Sequence, residues 1–318
     1  MTRVSLPLFL AIMAVLPILI GDFQTYLLTL TVIWAILALS MGLVLGYVGQ
    51  INLGQIAFVA IAAYTSSLLR LKLDWSFWIA APAGLLVVVA LAALIGFITL
   101  RLKGPYFILV MLAFSEIVRL ILSTWQDLTN GPLGLRGIAP PEPILGISFE
   151  SKLSFYYLSL FVFSLCLVAL IRLIKSKTGR MLVAIREDEV LAEFIGISLL
   201  RQKVIGLCIS ALIAGMGGVL LGPFLSILAP SQFTLFASVD MIVMVVVGGV
   251  GTLAGPIIGA IFLTYIPEVL AFANHFRPIL IGTVLILVTL FAPQGIVGIA
   301  RGLIFLRRPA SDAGGRLE

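Results

Sequence analysis

The chain has 318 residues, of which 61% are apolar and 11% charged, with a net charge of +6 and a mean hydropathy of +1.22. Soluble domains carry roughly 25% charge and 45–50% apolar residues, and disorder needs low hydrophobicity with high charge, so neither class fits. Strands of a β-barrel alternate apolar and polar residues, whereas this chain shows long unbroken apolar runs, the signature of transmembrane helices.

A crossing helix needs roughly 20 residues. The runs predict an all-α polytopic integral membrane protein with about ten transmembrane helices, arranged as one transmembrane domain over 1–318. The spans are expected near 4–21, 26–46, 51–70, 78–100, 105–123, 154–173, 203–223, 235–250, 255–272 and 279–299. The first run, Ser5 to Gly21, lacks a clear small-x-small cleavage site and is interrupted by Pro17, so it reads as an uncleaved first span rather than a signal peptide. Basic residues collect at the ends of the runs, as the positive-inside rule requires, and do not suggest nucleic acid. Cys166 and Cys208 both lie inside apolar runs and read as small buried hydrophobes, with no metal site or disulfide expected.

Orientation follows from Lys and Arg. The loop from Arg172 to Lys203 carries seven basic residues and is expected in the cytoplasm. Arg101 with Lys103, and the tail after Arg301, are expected on the same side, which places both termini inside. Arg70 and Lys72 then fall outside, as a minority exception. The segment 235–272 begins and ends outside, as two full spans or one re-entrant hairpin. The longest outer loop, 124–153, is broken by Gly131, Pro132, Gly134, Gly137, Pro140, Pro141, Pro143 and Gly146 and cannot be a span.

Two stretches depart from plain apolar helices. Gly46 to Gln55 contains Gly49, Gln50, Asn52, Gly54 and Gln55; Gly248 to Gly259 contains Gly251 and Gly255. Both join apolar runs on the expected cytoplasmic side. Glycine-broken segments in corresponding positions point to a transport path. The same pattern suits tight turns and close helix packing, and Gly251, Gly255 and Gly259, four apart, are expected on one helix face. Gly49 to Gly54 has the Gly-x-x-x-x-Gly spacing of a phosphate loop, but Gln55-Ile56 stands where Lys-Ser/Thr is needed, so nucleotide binding is rejected. The amides of Gln50, Asn52 and Gln55 are suited to bonding a polar solute, or to bonding between helices.

Glu116 and Arg119 lie inside the expected span 105–123, three residues apart, so they share a helix face and can pair. An ionisable residue inside a span is a functional candidate; a structural ion pair is the competing account.

The segment from Thr178 to Ile197 is charged, yet Val190, Leu191, Phe194 and Ile195 keep helical spacing. Asp188 can cap a short helix and Gly196 can end it. Such an amphipathic helix within the loop 174–202, flanked by Arg186, Glu187, Glu189 and Glu193, suits docking into a groove on another protein or lying on the membrane surface.

Four segments carry a family resemblance. Gly179 to Gly196 followed by Lys203-Val204-Ile205-Gly206 and Ala211 to Gly218, then Gly46 to Phe58, then Gly248 to Pro256, resemble the permease family of branched-chain amino acid ABC importers. Thr129-Asn130-Gly131-Pro132-Leu133-Gly134-Leu135 is similar to the Thr-Gly-Gly-x-x-Gly-Leu pattern of that family's M-type subunits, with Asn130 in place of the first glycine. The resemblance implies a non-enzymatic transport subunit of a bacterial inner membrane. Its partners would be a second related permease, two ATP-binding cassette subunits and a periplasmic solute-binding protein. It also implies that this chain binds no cofactor, ATP and magnesium being held by the partner ATPase. On this reading the short helix at 188–195 docks into the ATPase, and its four carboxylates, Glu187, Asp188, Glu189 and Glu193, meet basic groups there. A urea or short-amide ABC permease would keep every one of these motifs; an ion-coupled secondary transporter would rely instead on Glu116.

Overall fold

The computed structural model describes residues 5–102, 104–144, 146, 148–269 and 295–298. Among the described residues the regular structure is helical apart from one two-residue strand pair. Helix α1 is Ser5–Leu19 and α2 is Asp22–Leu43, which continues through a π turn, Val44–Val48. Then come α3 (Gln55–Leu73), α4 (Phe77–Thr99), α5 (Pro105–Thr124) and the short α6 (Gln126–Thr129). After the long loop follow α7 (Lys152–Lys175), α8 (Lys177–Glu187), α9 (Glu189–Phe194) and α10 (Leu199–Leu225). Helices α11 (Leu235–Gly248) and α12 (Ala254–Val269) form a hairpin.

Among the described residues, seven helical stretches are long and apolar enough to cross a membrane, starting at Asp22, Gln55, Phe77, Pro105, Lys152, Leu199 and Pro230. Helix α1, with 15 residues, is shorter than these, as is the apolar stretch Ala254–Tyr265. The span expected at 279–299 lies outside the described residues except for 295–298.

Helix α2 is the centre of the bundle, with 89% of its apolar window buried. It packs on α7, α10, α11 and α12, while α3 packs on α4, α5 and α10. Between membrane helices, close backbone approach replaces the hydrophobic driving force, and small residues permit it. A Cβ added to Gly218 of α10 would run into the Val59 carbonyl of α3. In the hairpin, a Cβ on Gly259 would strike the Met244 carbonyl and one on Gly255 the Gly249 carbonyl. Gly251 does not share that helix face, contrary to the four-residue spacing: it lies in the turn before α12, at φ +75°.

Helix α1 is tied down through its proline. Pro17 has no N–H for the Met13 carbonyl four residues back. The Tyr156 hydroxyl of α7 donates to that carbonyl at 2.7 Å, and the Tyr157 hydroxyl donates to Ala14 O at 3.0 Å.

At the end of the bundle where α3 stops, the long loop is clamped. Arg70 donates to the carbonyls of Ala139 and Pro140 at 2.7 and 2.9 Å and pairs with Glu142 at 3.1 Å. Glu142 also accepts from the Phe77 N–H at 2.7 Å and from the Ser76 hydroxyl at 3.1 Å. Desolvation raises the pKa of this carboxyl, but the backbone hydrogen bonds, the Arg70 charge and the Ser76 hydroxyl outweigh it and hold it below the usual carboxylate value. Lys72 donates to Asp127 O at 2.5 Å. The two basic residues that break the charge rule at this end therefore fasten the loop. Leu135–Arg136 pairs antiparallel with Ile227–Leu228 just after α10, adding a second fastening. Asn130 sits at φ +59°, a left-handed conformation that glycine adopts freely and asparagine tolerates, which accounts for its place in the motif.

Candidate functional site

The two glycine breaks meet. Helix α2 loosens into its π turn at Val44–Val48, and Gly49 stops it at φ +77°. A Cβ on Gly46 would approach Gly251 N to 2.9 Å, and the Tyr47 hydroxyl donates to Gly251 O at 3.2 Å. Arg186, at the end of α8, lies against both breaks. Its Nη1 donates to Gly46 O at 2.5 Å. Added Cβ atoms would fall 2.7 Å from its Cγ at Gly49 and 3.1 Å from its Nη1 at Gly251. The rest of the guanidinium holds the Glu187 carboxylate. Nothing in the sequence pattern signals that one arginine of the loop touches two segments far away in the chain.

Helix α9 follows immediately. Asp188 accepts from the N–H groups of Val190 and Leu191 at 2.9 and 3.0 Å, the capping role its position predicts. The helix closes through Gly196, at φ +85°, whose N–H donates to Glu193 O at 2.9 Å, while the Ile197 N–H donates to Ala192 O at 3.0 Å. Val190, Leu191, Phe194 and Ile195 all project outward, Phe194 with 83% of its surface exposed. Three of the four carboxylates expected to face a partner are engaged within the chain. Glu187 is held by Arg186, Asp188 is spent on the cap, and Glu189 pairs with the buried Lys203 at 2.6 Å. Glu193 has no such partner among the described residues.

Asn52 and Gln55 are fully buried. Asn52 donates to Gln55 Oε1 at 2.7 Å, and its own Oδ1 accepts from Gly54 N at 2.9 Å. Gln55 Nε2 donates to Ser40 Oγ at 3.0 Å and Ser210 Oγ at 2.8 Å, and Ser210 Oγ donates to Ser40 O at 2.8 Å. This network ties α2, α3 and α10 together where the chain turns back inside the bundle. Gln50 is half-buried, and its neighbours Gly49 and Ile51 are exposed. Ser40 and Ser210 were not anticipated; a serine in an apolar run gives no sign of its partner.

On α5, Arg119 Nε donates to Glu116 Oε2 at 2.8 Å, and the two side chains are 34% and 37% exposed. Beyond the end of α5, Gln126, Asn130, Leu133 and Arg136 border an open polar recess of about 550 Å³.

Comparison with known proteins adds an independent line. The family described as branched-chain amino acid transport system / permease component matches residues 24–289. The chain is 31% identical to the high-affinity branched-chain amino acid transport system permease protein LivM of Escherichia coli (strain K12), over 98% of this chain and 79% of the relative. It is 27% identical to the permease protein LivH of the same strain, over 85% of this chain and 92% of the relative. A probable LivM permease of Methanocaldococcus jannaschii is 25% identical over 67% of this chain and 68% of its own. No solved structure matches the chain.

Proposed function

The chain belongs to the branched-chain amino acid transport permease family, and from that premise we propose how its parts serve transport. It is a membrane permease subunit of an ABC importer for branched-chain amino acids. In our reading it works in a bacterial inner membrane with both termini in the cytoplasm. It pairs with a second, related permease, with two ATP-binding cassette subunits below and a periplasmic solute-binding protein above.

The observation that carries the mechanism is the outward apolar face of α9. Three large apolar side chains of a six-residue helix, with Ile195 just beyond its end, are held in place by a cap, a C-terminal glycine and an ion pair. A groove on the ATPase that closes when ATP binds would grip this face. With three carboxylates committed internally, Glu193 is the one left to meet a basic group of that groove. Displacement of the loop would reach the glycine breaks through Arg186, since the same side chain touches Gly46, Gly49 and Gly251. The breaks are suited to yield, because a π turn and left-handed glycines interrupt the regular helix ladder there. Gly49, Gln50, Gly54, Gly251 and Gly255 would thus form the moving inner end of the path, anchored to the bundle by the buried amides of Asn52 and Gln55.

The test is Phe194→Asp in the complete transporter reconstituted into proteoliposomes. Leucine uptake driven by ATP and the binding protein is expected to fall, while insertion of the permease and hydrolysis by the ATPase persist. Uptake per ATP equal to that of the unaltered chain would refute the docking assignment. Purification from mild detergent should bring down an ATPase and a second permease; recovery of the chain alone would refute the assembly.

A further inference from the structure

We propose that the outer face of α5 lines the hydrated path between the two permease subunits, and that Glu116 and Arg119 are a contact for the zwitterionic amino acid passing along it. This inference rests on the importer reading above.

The argument begins with depth. Glu116 is the twelfth of the 20 residues of α5, so it lies within about 2 Å of the helix midpoint at 1.5 Å per residue. Both side chains of the pair are about one-third exposed in this chain. They flank a surface formed by Tyr106, Leu109, Ile117 and Leu120. Hydrocarbon suits those four side chains but not the ion pair beside them. An arginine carries five N–H donors, and among the described residues one of Arg119's is used, the Nε bond to Glu116. Arg119, the fifteenth residue, lies about 7 Å from the helix midpoint, and unspent donors at that depth are costly unless water, protein or a solute meets them. The bond to Glu116 also draws Arg119 toward the midplane, against snorkelling outward.

Two other helices supply an internal control. The exposed residues of α4 include Leu86, Leu94 and Ile98, and α4 carries no charged residue. Those of α7 include Phe161 and Leu165, and the charges of α7 stand at its ends. Those faces suit lipid; the face of α5 suits a water-containing seam.

The chemistry of the pair fits the solute. An α-amino acid presents an ammonium and a carboxylate on one carbon. Glu116 can accept from the first and the unused donors of Arg119 can hold the second. Because Glu116 and Arg119 bond each other when no solute is present, the pair can open for a solute and reclose behind it. Selectivity would remain with the binding protein; this contact would lower the barrier midway.

The experiment uses the full transporter in proteoliposomes, with Glu116→Gln, Arg119→Gln and the charge exchange Glu116→Arg/Arg119→Glu. Each single variant is expected to lower maximal leucine uptake about tenfold, the scale of one lost charge-assisted hydrogen bond, at unchanged assembly and unchanged binding-protein-stimulated ATPase. The exchange should recover part of the uptake. A second measurement places a cysteine at Ala113 in a Cys166→Ala/Cys208→Ala chain. A charged, membrane-impermeant thiol reagent should label it during turnover, and it should stay unlabelled in lipid-facing controls at Leu94. Uptake untouched in both single variants, or no labelling of Ala113→Cys in any state, would overturn the inference. Absence of leucine uptake by the unaltered transporter would instead overturn the importer reading, and this contact with it.

Discussion

Replacing Arg186 with alanine should loosen the link between the loop that carries α9 and the glycine breaks without unfolding the bundle. The side chain makes one part-buried bond to a backbone carbonyl, Gly46 O at 2.5 Å, and one exposed contact to Glu187. A hydrogen bond from a charged donor contributes about 1.5–3 kcal/mol, and the exposed ion pair adds little, about 0–1 kcal/mol. Taking about 2 kcal/mol for the link, the population in which loop and breaks move together should fall about 30-fold, at 1.4 kcal/mol per factor of ten. The readout is leucine transported per ATP hydrolysed in proteoliposomes. Arg186→Ala should hydrolyse ATP yet transport far less leucine per cycle, with a lowered melting temperature but an assembled, folded bundle. Arg186→Lys should fall between, because an ammonium cannot span the carbonyl and the carboxylate as the planar guanidinium does. Unchanged stoichiometry in Arg186→Ala would show that force reaches the breaks by another route.

Two further outcomes follow from the fold. Gln55→Ala removes the hub linking Ser40, Asn52 and Ser210 and should cost about 2 kcal/mol of stability through buried groups left unpaired, seen as a lower melting temperature with near-normal uptake per assembled complex; normal melting with lost uptake would make Gln55 a solute contact instead. The Glu142 clamp should weaken in acid: its carboxyl pKa is lowered in the folded chain, so its contribution is present above the ordinary carboxylate pKa of roughly 4 and is lost as pH falls through the folded value. Melting measured down the acid range should show that loss, and Glu142→Gln should flatten it; identical acid profiles would refute the clamp.

The class and the short capped helix α9 were legible because they rest on local patterns. Long apolar runs can be little else than membrane helices, and Asp188 and Gly196 announce the ends of α9 by chemistry that acts within a few residues. Partners distant in the chain were not legible. Arg70 read as a charge-rule exception until Glu142 and two carbonyls appeared around it. Glu189 read as a docking charge until Lys203 took it. The four-residue glycine spacing suggested one face, but a helix start between Gly251 and Gly255 broke the register. For Arg70 and Glu189 the deciding contact joins elements that sequence spacing does not connect.

One such contact joins the two functional proposals. The segment after Gly49, which lies against Arg186, ends at Gly54, and a Cβ on Gly54 would stand 2.7 Å from the backbone oxygen and from Cε of Met111 on α5. Met111 is on the same helix as Glu116. The loop carrying α9, the glycine break and the α5 helix therefore form one contiguous series of contacts along which a displacement can pass. Gly54→Ala tests it. The methyl has no room beside a backbone carbonyl, so α5 must shift, at an overpacking cost of about 1–3 kcal/mol. Uptake should drop while ATPase stimulation holds, and combining Gly54→Ala with Glu116→Gln should cost less than the sum of the two, because both disturb the same element. Strictly additive losses would separate the break from α5, and the displacement begun at α9 would then have to reach the path through α11 and α12.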